Sequence, residues 1–186
     1  MAEADARTLA KEEIDNLTSS EEDFENEFQE PDDENTELDM YSEEIKDELK
    51  SHKKLRTSIS GKIIFLEKGH SKTTLQTTKE MVVDDLGLIH SGFIFSGAEY
   101  AALVSINQEN LVAIGSKCKF LAPAKEGDTI EFEAVAKFED SRKREVKVTG
   151  HINDIKIFDG IFQIVILEQH ILKTKIKNIV KNYHNK

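Results

Sequence analysis

Residues 90–103, HSGFIFSGAEYAAL, narrow what this chain can fold into more than any other stretch. The Ala101–Ala102 pair, and the lack of β-branched residues between Ile94 and Val104, predict a helix over 88–106. Its small and apolar residues go nearly all round, so it has to be buried on most sides. Gly92, Ser96, Gly97, Ala98 and Ala101 let neighbouring backbones come close. A curled sheet around one central helix meets that demand. Glu99 breaks the pattern. A carboxylate in such a place is costly unless it is paired, hydrogen-bonded or keeps its proton, which makes Glu99 the first functional candidate.

The flanking sequence supplies the sheet. LRTSISGKIIFLEKG (55–69) and HSKTTLQTT (70–78) are rich in β-branched residues and read as two strands or one long bent strand. The loop KEMVVDDLGL leads to the helix. Four more strand-like runs follow: NLVAIGSKCKFLAPA, DTIEFEAVAKF, REVKVTGHI and IKIFDGIFQIVILEQ. Turn chemistry at 126–128, 139–144 and 153–154 separates them. Strands so closely spaced predict an antiparallel sheet and an α+β fold.

Charge divides the chain. Residues 1–50 hold 20 Asp and Glu against 4 Lys and Arg, a net of −16, and the remainder is net +5. Residues 1–41 lack the apolar content to offset ordering entropy and read as an acidic, mostly disordered tail. Residues 42–54 read as a short helix or linker, 55–170 as the folded domain and 171–186 as a basic C-terminal extension. Within the tail, EEDFENEFQE sets Phe24 and Phe28 among acids, a composition suited to a protein partner as well as to solubility. The same acidity weighs against nucleic-acid binding, despite the lysines of 172–186.

A single cysteine, Cys118, excludes an intrachain disulfide and every paired-Cys zinc spacing. No metal is expected. The longest apolar runs are far short of the ~20 residues of a membrane helix, so a soluble cytoplasmic protein is expected. Cys118 itself reads as a buried thiol without a partner base.

The residues of the helix carry a resemblance. His90, Ser91 and Gly92 followed by Glu99, nine residues after the His, resemble the His-Gly-Gly start and following acid of hotdog-fold acyl-CoA thioesterases of the phenylacetic-acid-pathway type. FLAPAKEGDTIEF, with Phe120, Pro123, Gly127 and Asp128, resembles their second motif. Ser91 replaces the first Gly, and Asp84 stands where an Asn often precedes the His. FIFSGAEYAALVSI and AIGSKCKFLAPAKEGD are also similar to the acyl-CoA-sensing hotdog module of a repressor of fatty-acid synthesis. MVVDDLGLIHSGFIFSGAEYAAL and the acidic extension look like the flagella-co-expressed hotdog virulence proteins of campylobacters.

The resemblance implies a hotdog fold, a curved antiparallel β-sheet wrapped around one central helix. It also implies a homodimer with an acyl-CoA at its interface and no separate cofactor, coenzyme A being part of the ligand. Nine residues of helix span ~13.5 Å, so the amides near Ser91 and the Glu99 carboxylate of one chain cannot grip the same thioester carbon. Two antiparallel helices can. The Ser91 or Gly92 amides would hold the oxyanion, with Glu99 as base or nucleophile and His90 as acyl contact or turn cap. Asp84 would lie nearby, Phe95 and Phe120 would line the ligand, and Arg142, Lys143 and Arg144 would meet the phosphates. Blander readings stay open. Glu99 fits an interface hydrogen bond and 142–144 a solvated turn. A non-catalytic acyl-CoA-binding effector, linked to motility or virulence, stands beside the thioesterase, and assembly beyond the dimer is not specified.

Overall fold

The computed structural model describes residues 48–137 and 142–173. The acidic tail, residues 42–47 of the expected 42–54 helix or linker, residues 138–141 and the chain after 173 lie outside them. Among the described residues six strands form one antiparallel sheet: β1 (Lys62–Glu67), β2 (His70–Gln76), β3 (Leu111–Phe120), β4 (Thr129–Lys137), β5 (Lys143–Ile152) and β6 (Ile155–Ile166), in the order β1-β2-β4-β5-β6-β3. A four-residue helix, α1 (Thr57–Ser60), precedes β1, and the long helix α2 (Ser91–Ile106) connects β2 to β3. The sheet packs on α2 through β4, β2 and β5, which is the α+β hotdog arrangement.

Strand patterning follows from having one face on the helix. β4 alternates without a break, with Ile130, Phe132, Ala134 and Ala136 buried and Thr129, Glu131, Glu133, Val135 and Lys137 exposed. Val146, Val148 and Ile152 of β5 share that inner face with Phe158, Phe162 and Ile164 of β6.

Close approach between α2 and the sheet depends on glycine. The Phe132 ring fits between Gly97 of the helix and Gly150 of β5; a Cβ at these positions would come within 2.5 and 2.9 Å of the ring. Phe158 uses Gly160 in the same way, at 2.9 Å. The phenylalanines then form a connected series, Phe95–Phe162–Phe158–Phe120, with Phe132 on Phe158. This density leaves the aromatic core little freedom to give way.

Three expectations need correction. The run read as strand from Leu55 begins with α1, and the strand starts only after Gly61, whose φ of +94° and distance of 2.5 Å from an added Cβ to the Thr74 carbonyl exclude other residues. Helix α2 starts at Ser91 instead of 88, because Leu88 and Ile89 are held in bridges to Lys125 and Val82. For the segment 42–54, read as a short helix or linker, the described residues 48–54 are not helical. Residues 48–50 are held against the far end of α2, where Asn107 ends the helix in a left-handed conformation. Asn107 Oδ1 accepts the Lys50 N–H at 2.8 Å and its Nδ2 donates to the Glu48 carbonyl at 3.0 Å. Leu49 packs there beside Leu66, Tyr100 and Val104.

Candidate functional site

The start of α2 is built by His90. Its backbone is extended, and its Nδ1 accepts the Gly92 N–H at 2.9 Å, so the ring caps the helix and Nε2 carries the ring proton. A Cβ on residue 92 would lie 2.7 Å from that Nδ1, which is the steric reason for His-x-Gly in this chain. The cap has a chemical consequence: the Gly92 amide is engaged, and Ser91 is left as the first-turn residue whose N–H has no partner among the described residues. Ser91 and Gly92 are both exposed.

Three loops hold this end in place. His90 N–H donates to the Met81 carbonyl at 2.9 Å, and Ile89 N–H to the Ala124 carbonyl at 3.0 Å. Asp84 belongs to the scaffold: its Oδ1 accepts the N–H groups of Leu86 and Leu88, both at 3.0 Å, closing the turn that contains Gly87. The Gly127–Asp128 motif does similar work. Asp128 Oδ2 accepts the Lys125 N–H at 2.8 Å, and Thr77 Oγ1 donates to the Lys125 carbonyl at 2.7 Å. Val83, Leu86 and Leu88 stand exposed on the Asp84 turn, Leu86 at 92%.

Glu99 lies two turns along α2, half-buried, with no hydrogen bond or ion pair among the described residues. Burial pushes its carboxyl above the usual carboxylate range. One turn earlier Phe95, partly buried, packs on Phe162 with ring centroids 5.4 Å apart. Tyr100 is buried, and that burial raises its phenol too.

Strand register divides the remaining candidates between the two ends of the helix. Phe120, opposite Phe158, leads into the segment that supports the helix start. Lys143 lies opposite Val165, beside Leu111 opposite Ile166, at the end where α2 finishes. Arg142 there pairs with Glu168, and Arg144 donates to the Lys143 carbonyl at 2.9 Å. Within one protomer the helix-start amide, Glu99 and the basic trio therefore do not converge. Cys118 is partly buried on β3, its thiol pushed up by burial. Among the described residues no three His, Cys, Asp or Glu side chains gather as a metal site would require. No helix among them is long and apolar enough to cross a membrane.

Sequence reasoning missed the Asn107 clamp and the lysines around Asp159. Asp159 is buried on the outer sheet face, with Lys147 Nζ 2.5 Å from its Oδ1 and Lys156 paired to its Oδ2. The charge alternation along β5 and β6 was the available signal.

Known proteins share this architecture. A sigma28-regulated virulence protein from Campylobacter jejuni is 51% identical, with a TM-score of 0.66, over 67% of this chain and 89% of that one. A Streptococcus mutans protein with bound acetyl-CoA is 21% identical, TM-score 0.55, over 63% and 97%, a likeness of fold. Over 120 residues, 64% of the chain, it is 36% identical to the methylthioribose-1-phosphate isomerase of Aquifex aeolicus, and it spans only 26% of that curated relative's length. No family model matches.

Proposed function

The chain belongs to the hotdog-fold family of the sigma28-regulated virulence protein of Campylobacter jejuni, and from that premise we propose that it binds an acyl-CoA between the two protomers of a homodimer. The observation that carries this reading is the separation of the candidate groups. One protomer offers an unpartnered Ser91 amide at one end of α2, Glu99 midway along it, and the basic trio toward the other end. A two-fold axis that sets the helices antiparallel would bring each set against its complement, giving two equivalent sites. The exposed first turn of α2, the apolar Asp84 turn and the edge strand β3 with exposed Ile114 support such pairing. Acetyl-CoA bound by a protein of this fold is consistent with the ligand class.

In that site the positive end of α2 polarises the thioester carbonyl, and the Ser91 N–H holds the oxyanion as it develops. Glu99 of the other protomer takes a proton from water as general base. Hydroxide adds to the carbonyl carbon, and the tetrahedral intermediate then expels the thiolate, which takes the proton back from Glu99, leaving the acid and free coenzyme A. A raised carboxyl serves a base working near neutrality. His90 orders the turn, while Phe95 and Phe120 border the acyl group.

A second reading, binding without turnover, is favoured by one observation. The Gly92 amide is already spent on His90, and one missing oxyanion donor costs about 10²–10³ in rate. Thiol release and thermal shift, measured together on a panel of acyl-CoAs with the wild-type and Glu99→Gln proteins, separate the two. Release abolished by Glu99→Gln supports the esterase, and shift without release supports an effector. Release that survives Glu99→Gln removes the mechanism, and the absence of any shift removes the ligand.

A further inference from the structure

Apart from Lys143, the outer face of β3, β6 and β5 has a composition that the proposed acyl-CoA site does not use. Register places Lys117, Lys119, Lys143, Lys147 and, through its ion pair, Lys156 on this face, against two acids, Glu145 and Asp159. Asp159 is already held by two of the lysines. Between Lys117 and Lys147 lies Ile161, an apolar side chain only 7% exposed although it points away from the helix. A cleft of about 410 Å³ opens over it, lined by Gly115, Ser116, Lys117, Glu145, Ile161 and Gln163. Such a face is cationic with an apolar centre.

The chain carries a segment of the opposite kind. Residues 21–30, EEDFENEFQE, hold six carboxylates and two phenylalanines in ten positions. We propose that this segment docks on the β3-β6-β5 face of its own chain, its phenylalanines seated in the cleft over Ile161 and its carboxylates among the lysines. Reach permits it. The chain is fixed at Glu48 and Lys50 by Asn107, and the 18 residues back to Glu30 span up to about 60 Å, beyond the roughly 35 Å breadth of a domain this size. Fixing one end also raises the local concentration of the segment at the face. Glu145 is no obstacle, since Lys137 and Lys143 flank it and Lys147 follows on the same face.

Zero-length carbodiimide cross-linking of the full chain tests this, with unlabelled and 15N-labelled protein unfolded and refolded together. The expected result is cross-links from Glu21–Glu30 to Lys117, Lys119, Lys143 or Lys147, within single isotopic species. Their yield should fall several-fold in 1 M salt, in Lys117→Glu/Lys119→Glu, and in Phe24→Ala/Phe28→Ala, which leaves the folded domain untouched. Cross-links spread evenly over the lysines would overturn the proposal, as would yields indifferent to the phenylalanine variant. Mixed isotopic pairs would assign the segment to a second copy and overturn docking within one chain.

Discussion

Glu99 is the residue on which chemistry and stability pull apart. Its folded carboxyl titrates above its ordinary value of 4.5 because half-burial disfavours the charge. The fold therefore prefers the protonated form. That stabilisation is complete below the unfolded pKa and is lost as pH rises through the raised folded one. Glu99→Gln, neutral throughout, should flatten the fall in melting temperature above pH 4.5 and melt higher than wild type at neutral pH; parallel curves would show that the group is not strained. Glu99 was legible in the sequence because it is the one carboxylate in an apolar helix. Asn107 was not, since its clamp partners lie 57 and 59 positions away. Asn107→Gly keeps the left-handed conformation but removes both bonds, and urea unfolding should show a loss of about 1–3 kcal/mol.

At the scale of elements, the helix and sheet were readable because small residues in α2 and alternation in β4 each demand one partner surface. Boundaries were less so. The β-branched run before β1 concealed α1, although Gly61 marks the break, and the helix start shifted because bridges at 88–89 compete with helical geometry. Which glycine meets which ring was invisible, because the contact of Gly97 with Phe132 is fixed only when the helix lies on the sheet. Gly97→Ala should cost about 1–3 kcal/mol by overpacking despite the better helix propensity of Ala. Adding Phe132→Leu should return part of that loss. A Gly97→Ala protein as stable as wild type would mean that the helix stands further from the sheet than described.

At the scale of the whole molecule, helix length already implied in the sequence that the Ser91 amide and Glu99 of one chain cannot meet, and the fold adds where the basic trio stands. Sequence motifs record which groups a site needs, and register decides which end of the helix each occupies. Here the helix start and the basic trio fall at opposite ends, and the proposed site therefore draws on two copies. The most direct test uses two silenced chains. Ser91→Pro removes the amide at a helix position that tolerates proline, following a residue already extended, so the helix should persist. Glu99→Gln removes the carboxylate. Thiol release from an acyl-CoA should be lost in either homodimer and return, in a co-expressed mixture, to about one quarter of the wild-type rate, since half the dimers are mixed and each holds one intact site. A mixture as silent as its parents, with mixed dimers present, would contradict a site shared between protomers.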